Sequence, residues 1–349
     1  MTNDVYKEII RKKNSPYFIA EIGINHNGNF DLAKKMILAA KESGADCVKF
    51  QSLKASKYIS SLAQKAPYQI NETKFKTKSQ LEIIKECEIK IYEIEKLKKF
   101  CKKIKIDFLS TPFEIFSLRE LIKLGEKTIK VSSCNLTNIP FMKEISKYKV
   151  NVLLSTGMSK LDEVLESYNI LKQKNLNVGI FQCTSNYPCK FENSNLNVIN
   201  TYKEIFGRPI GFSDHTFGTL PAIVAGSIGV DMIEKHFTLS RSLPGVDQKA
   251  SIEPKELKKL INDLKKIKKI KGSKHKKVVK EEIDTKLSLR RSLVANKNLF
   301  KGNYIKKNDI AIKRPGTGIE PKFFEYVIGK KIKKNIKKDE ILNKESFKL

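Results

Sequence analysis

The chain has 349 residues and a formal net charge of +30, long enough for two domains with a large core. No apolar run approaches the roughly 18 residues of a membrane span, and the start Met1-Thr2-Asn3-Asp4 is unlike a signal peptide. The lysines are spread among glutamate and isoleucine, without a basic arm, interleaved aromatics or finger spacing, which argues against nucleic acid as a partner. The spacing then predicts eight strands in chain order: 17–22, 47–50, 107–109, 128–131, 152–154, 178–182, 209–212 and 231–233. Helical stripes fall between or after them, as in Leu32, Ala33, Met36, Ile37 and Ala40, in Ile91, Ile94, Leu97, Cys101 and Ile104, and in Leu257, Leu260, Ile261, Leu264 and Ile267. Eight βα units within residues 1–270 fit a TIM (β/α)8 barrel. An open doubly wound sheet fits less well, because the first strand leads into Gly23-Ile24-Asn25-His26-Asn27-Gly28 and not into a dinucleotide glycine fingerprint. Residues 271–289 are lysine-rich and read as a linker. Residues 290–349 form a small second domain of short apolar runs around the turn Arg314-Pro315-Gly316-Thr317-Gly318. The six scattered cysteines read as reduced core residues, and the expected location is the cytoplasm.

A barrel places its chemistry at the C-terminal ends of its strands. Those positions hold Glu21, Lys49 with Gln51, Ser110-Thr111, Lys130 with Ser132-Ser133, Ser155, Thr184-Ser185, Ser213 with His215, and Glu234 with His236. Each has a bland reading as a cap or turn residue, but eight polar endings in register are hard to assign to turn chemistry. Only four histidines occur in the chain, and His215 and His236 each close a strand beside an acidic residue. Two imidazoles at successive strand ends suit one divalent metal, with Glu234, Asp214 and Asp247 near in sequence. Lys49, Lys130 and the hydroxyls suit a small anion carrying phosphate. A metal with open positions would activate a carbonyl, so these residues point to carbon–carbon bond chemistry on a sugar phosphate or phosphoenol compound.

The motifs Ala20-Glu21-Ile22-Gly23-Ile24-Asn25-His26-Asn27-Gly28, Val48-Lys49-Phe50-Gln51, Leu109-Ser110-Thr111-Pro112-Phe113, Ser155-Thr156-Gly157-Met158, Gly211-Phe212-Ser213-Asp214-His215 and Ile233-Glu234-Lys235-His236-Phe237-Thr238 resemble the N-acetylneuraminate synthase family, which includes legionaminic and pseudaminic acid synthases. Lys313-Arg314-Pro315-Gly316 extends the resemblance into the tail. The resemblance implies a TIM barrel followed by an antifreeze-like (SAF) domain in a domain-swapped homodimer. It implies condensation of phosphoenolpyruvate with an N-acetylated mannosamine-type sugar and water, yielding a nine-carbon keto acid and phosphate. It further implies Mn2+, or else Mg2+ or Co2+, on His215 and His236, with Glu21, Glu234, Lys49 and Lys130 catalytic. Phosphoenolpyruvate would meet Lys49, Thr111, Lys130, Ser133, Ser155 and Ser213. The sugar would meet Gln51, Phe113, Tyr187, Asp247 and the other subunit's Arg314.

One departure is Ser185, where the sialic acid synthases are expected to carry asparagine. Asn186 follows it, and strand-end alternation points its side chain elsewhere. Ser185 and the stretch 245–250 are expected near the pocket that selects the sugar. N-acetylmannosamine is the expected acceptor, and a 6-deoxy diacetamido sugar is the alternative. The rivals are an aldolase using Lys49 or Lys130 as a Schiff base, and a non-catalytic carbohydrate-binding protein.

Overall fold

The computed structural model describes residues 4–66 and 77–347. Two compact units divide the chain, Met1–Gly272 and Ser273–Leu349. The first carries eight parallel strands: β1 Tyr17–Gly23, β2 Cys47–Ser52, β3 Asp107–Pro112, β4 Thr128–Val131, β5 Asn151–Ser155, β6 Val178–Cys183, β7 Ile210–Asp214 and β8 Met232–His236. They lie in the order β3-β2-β1-β8-β7-β6-β5-β4, and the end strands β3 and β4 meet, so the sheet curls into a TIM barrel.

Helices coat the outside through the stripes read from the sequence. Helix Phe30–Glu42 is capped by Asn29, whose side chain accepts from the Leu32 amide, and it buries Ala33, Met36, Ile37 and Ala40. Helices Ile91–Ile104 and Pro254–Lys271 bury Ile94, Leu97 and Cys101, and Leu257, Leu260, Ile261 and Leu264. Several strands run past their apolar segments: β7 ends at Asp214 and β8 at His236, beyond the expected ends at 212 and 233. Backbone pairing continues there because the inward side chains, though polar, remain buried among one another.

Strand alternation builds the interior in layers. Ile19, Leu109, Leu153, Phe181 and Met232 form an apolar floor, and helix Val5–Arg11 inserts Val5 and Ile9 beneath it. Gly211 is required in this layer, since a Cβ there would lie 2.5 Å from Met232 Cγ and 2.7 Å from the Phe181 ring. One inward step further along each strand come Glu21, Lys49, Thr111, Lys130, Ser155, Cys183, Ser213 and Glu234, all buried.

The second unit has its own core, with Leu293, Leu299, Ile305, Ile310, Val327, Ile332, Ile336, Leu342 and Phe347. Its strands β9 Ser292–Ala295 and β10 Ile310–Lys313 pair antiparallel. The segment read as a linker contains helix Ile283–Leu289, and the Leu287 carbonyl accepts from the Gly316 amide at 2.7 Å. No helix among the described residues is long and apolar enough to cross a membrane.

Candidate active site

Strand register brings the polar layer together. Glu21 pairs across to Lys49 on one side and His236 on the other, and Ser213 lies opposite both Cys183 and Glu234. Lys49 Nζ sits 2.8 Å from Glu21 Oε2 and 3.8 Å from Glu234 Oε1, and donates to Thr111 Oγ1 at 3.0 Å. Lys130 Nζ donates to Ser155 Oγ at 2.7 Å and to Glu234 Oε1 at 3.2 Å, and rests 4.6 Å from the centre of the Phe181 ring. Ser213 Oγ donates to the same Glu234 oxygen at 3.2 Å, and Gln51 Nε2 donates to Glu21 Oε1 at 3.3 Å.

Two lysines and two carboxylates thus share one buried layer, and their environments separate them. Burial raises Glu21 above its ordinary range; Lys49 opposes this and Glu234 reinforces it. For Glu234 burial also acts upward, but Lys130 and Lys49 outweigh it and hold the group low. Glu234 is therefore the firm anion and Glu21 the carboxyl that more readily carries a proton, a separation of the kind that divides acid and base roles. Lys130 is lowered by burial in spite of Glu234, whereas Glu21 and Glu234 overcome the burial of Lys49 and raise it.

Beside Lys130 lies a cradle of small polar groups. The Gly157 amide donates to Ser133 Oγ at 2.9 Å. A Cβ on Gly157 would fall 2.3 Å from Ser185 Oγ and 2.9 Å from Ser133 Oγ, so only glycine leaves this hollow open. Ser185 therefore lies beside Ser133, one of the hydroxyls expected to meet the anionic donor. Asn186 is exposed, and its side chain accepts from the Tyr187 amide at 3.1 Å.

Above the charged layer the rings of His215 and His236 stand 5.5 Å apart, and Tyr187 packs at 4.2 Å from the first and 5.7 Å from the second. His215 Nδ1 lies 2.9 Å from the Thr184 carbonyl, which in the neutral ring selects the tautomer that leaves Nε2 with its lone pair. Burial lowers this imidazole, but Cys183 and the Thr184 carbonyl outweigh it and raise the group above its ordinary range. Burial, with the charges of His215 and Lys49, pushes His236 well below the usual histidine range, and its Nδ1 is enclosed without a hydrogen-bond partner. A neutral, unpartnered imidazole fits a metal ligand. No group of three or more histidine, cysteine or acidic side chains suited to a metal occurs among the described residues. Asp214 points out of the barrel and bonds Lys235, on the opposite face of the strand from the two imidazoles.

Asp247 is buried at the mouth, and burial with Glu21 raises its carboxyl to about 6. Phe113 is half-buried at the rim with its ring 4.9 Å from Tyr58, against a cluster containing Ile24, Leu53 and Val246. Arg314 is exposed on its turn in the second unit. Sequence reasoning missed Cys183, whose Sγ lies 3.8 Å from His215 Nδ1 and 3.5 Å from Ser133 Oγ. Burial works against its thiolate, yet His215, Ser133 and Lys130 bring the thiol down to about 7. Its inward parity with Phe181 was the available signal.

The NeuB family model matches residues 36–276, and the SAF domain matches 290–348. The chain is 42% identical to an N,N'-diacetyllegionaminic acid synthase of Campylobacter jejuni, over 93% of this chain and 98% of that protein. It is 37% identical to the N,N'-diacetyllegionaminic acid synthase of Legionella pneumophila, over 92% and 91%. Among solved structures, an N-acetylneuraminic acid (sialic acid) synthetase from Leptospira borgpetersenii in complex with citrate superposes with a TM-score of 0.68 at 32% identity, over 78% of this chain and 90% of that one. A family match over most of the barrel, followed by a SAF match over the small domain, shows that this chain belongs to the NeuB family.

Proposed function

We propose that this protein condenses phosphoenolpyruvate with a 6-deoxy, diacetamido sugar of mannose type and water, giving N,N'-diacetyllegionaminate and phosphate. The observation that carries the synthase reading is the buried layer in which Lys49, Lys130, Glu21 and Glu234 lie beneath two imidazoles. Similarity to two synthases named for legionaminic acid favours the diacetamido sugar over the N-acetylmannosamine expected from the motifs.

In this reading Lys130, Ser155, Ser133, Ser185 and the Gly157 amide hold the donor's anionic groups, with Lys49, Thr111 and Ser213 on its other side. His215 and His236 would hold a divalent cation, Mn2+ being the first candidate, which when bound polarises the acceptor's carbonyl oxygen. Carbon 3 of the donor forms a bond to the aldehyde carbon, and the positive charge left on carbon 2 is stabilised by Glu234, the firm anion of the site. Water adds to carbon 2, with Glu21 taking and returning its proton, and phosphate departs by carbon–oxygen cleavage beside the lysines. Tyr187, Gln51, Phe113 and Asp247 line the acceptor side, and Arg314 of a second subunit completes it in a domain-swapped homodimer.

Offering the purified, Mn2+-loaded enzyme the diacetamido sugar, N-acetylmannosamine and the pseudaminic-type isomer, each with phosphoenolpyruvate, tests this directly. Phosphate release and product mass are expected to favour the first. Preference for another sugar overturns the acceptor, and free pyruvate serving as donor overturns the synthase chemistry.

A further inference from the structure

The outward positions of β7 and β8 should be apolar, because they face the helices, and Phe212 and Ile233 are. The next outward pair is not. Asp214 and Lys235 have fully buried side chains, 0% exposed in each, and form an ion pair of 2.8 Å behind the barrel wall. Lys235 Nζ donates in addition to the Thr216 carbonyl at 2.7 Å. Asp214 Oδ1 accepts from the Thr216 amide at 2.9 Å and its hydroxyl at 2.7 Å. The turn Asp214-His215-Thr216 is thereby pinned to β8 at both residues flanking His215. Lys235 is itself the neighbour of His236.

Burying such a pair strips both charges of water, and well-packed apolar residues often serve the fold as well or better. Stability alone therefore gives little reason for charges here. What apolar groups cannot reproduce is direction: bonds from one ammonium to a neighbouring strand's carboxylate and to the carbonyl two residues on fix the turn against sliding or rotating. The two imidazoles extend from this pinned frame into the barrel.

We propose that Asp214, Lys235 and Thr216 form a staple behind the barrel wall that sets the separation and aim of His215 and His236, and so the affinity of the site for a divalent cation. They are positioning residues, touching neither cation nor substrate. The inference rests on the reading that the two histidines hold that cation.

The test uses Mn2+ alone with the metal-stripped full-length chain, following free Mn2+ by its EPR signal, beside thermal melts. An Asp214→Leu/Lys235→Met chain is expected to keep a cooperative melt, lowered by the Thr216 groups it leaves unpaired, while binding Mn2+ at least tenfold more weakly, within the range for residues that orient metal ligands. Thr216→Val, which removes only the hydroxyl bond, is expected to weaken binding severalfold. His236→Ala is the control for the histidine reading and should abolish binding. If the parent binds no Mn2+, or His236→Ala binds as the parent does, the cation reading fails, and the staple with it. If His236→Ala loses binding while the folded double variant keeps parental affinity, the staple alone is wrong. Should the double variant not fold, Thr216→Val decides, and unchanged affinity there overturns the proposal.

Discussion

At the scale of single residues, three positions report on the site separately. If Lys130, which bonds Ser155, also gives one charge-assisted contact to the proposed donor, Lys130→Ala is expected to raise the donor KM about 10- to 150-fold, matching the loss of roughly 1.5–3 kcal/mol, with a much smaller change for the sugar. Steady-state kinetics with each substrate varied in turn checks it. Gly157→Ala places a methyl against two serine hydroxyls and the Ser185 amide, which a Cβ would meet at 3.2 Å. Donor binding should fall at least tenfold with the melting temperature nearly unchanged. Asp247 carries a sign that can be worked out. Its folded value of about 6 lies above the ordinary 3.8, so the folded state holds its proton longer than the unfolded chain. Stability from this group is therefore present below pH 4 and declines as pH rises through about 6, by at most about 3 kcal/mol. Asp247→Asn is expected to abolish that decline, melting higher than the parent at pH 8 and close to it at pH 4; equal melting curves at pH 8 would refute it.

Among the elements, the strands do two jobs divided by parity. The outward face packs against helices, and the inward face climbs from an apolar floor to a charged layer. The floor is completed by helix Val5–Arg11, whose short stripe Val5 and Ile9 gave no clear helical signal in the sequence. Ile9 is fully buried, so Ile9→Ala should cost about 2–5 kcal/mol in urea unfolding while leaving the donor KM near the parent value, since the charged layer lies above the floor. The eight strand positions were legible because apolar runs recur at regular spacing. Their ends were not: apolarity stops at Phe212 and Ile233, while pairing continues through Ser213, Asp214, Glu234, Lys235 and His236. A polar run at a barrel mouth looks like loop until its burial is known.

For the whole molecule, two units follow one another, each with its own core. If Arg314 serves the site of a second subunit, Arg314→Ala and His236→Ala should each be nearly inactive alone. Co-expressed, they should recover up to half the activity per heterodimer, one site having lost both groups and the other neither. Assayed heterodimers without recovered activity would remove Arg314 from that role. The net charge of +30 belongs to this scale too, as dispersed lysine, consistent with solubility and attraction for anionic metabolites.

The sequence alone determined the barrel, because strand and helix periods repeat locally eight times, and it placed Glu21, Lys49, Lys130, Glu234, His215 and His236 at strand ends. Their pairing was decided only by tertiary structure. That Glu234 is shared by two lysines while Glu21 is left the more protonated carboxyl depends on distances across the barrel, which no local pattern encodes. The same holds for Asp214, which sequence proximity placed beside the candidate metal ligands and strand parity turns outward to Lys235. Ser185 came beside Ser133 and Gly157, and Cys183 beside His215, for a like reason: closing the sheet brings residues far apart in the chain within a few ångströms, and burial there decides which of them carry charge.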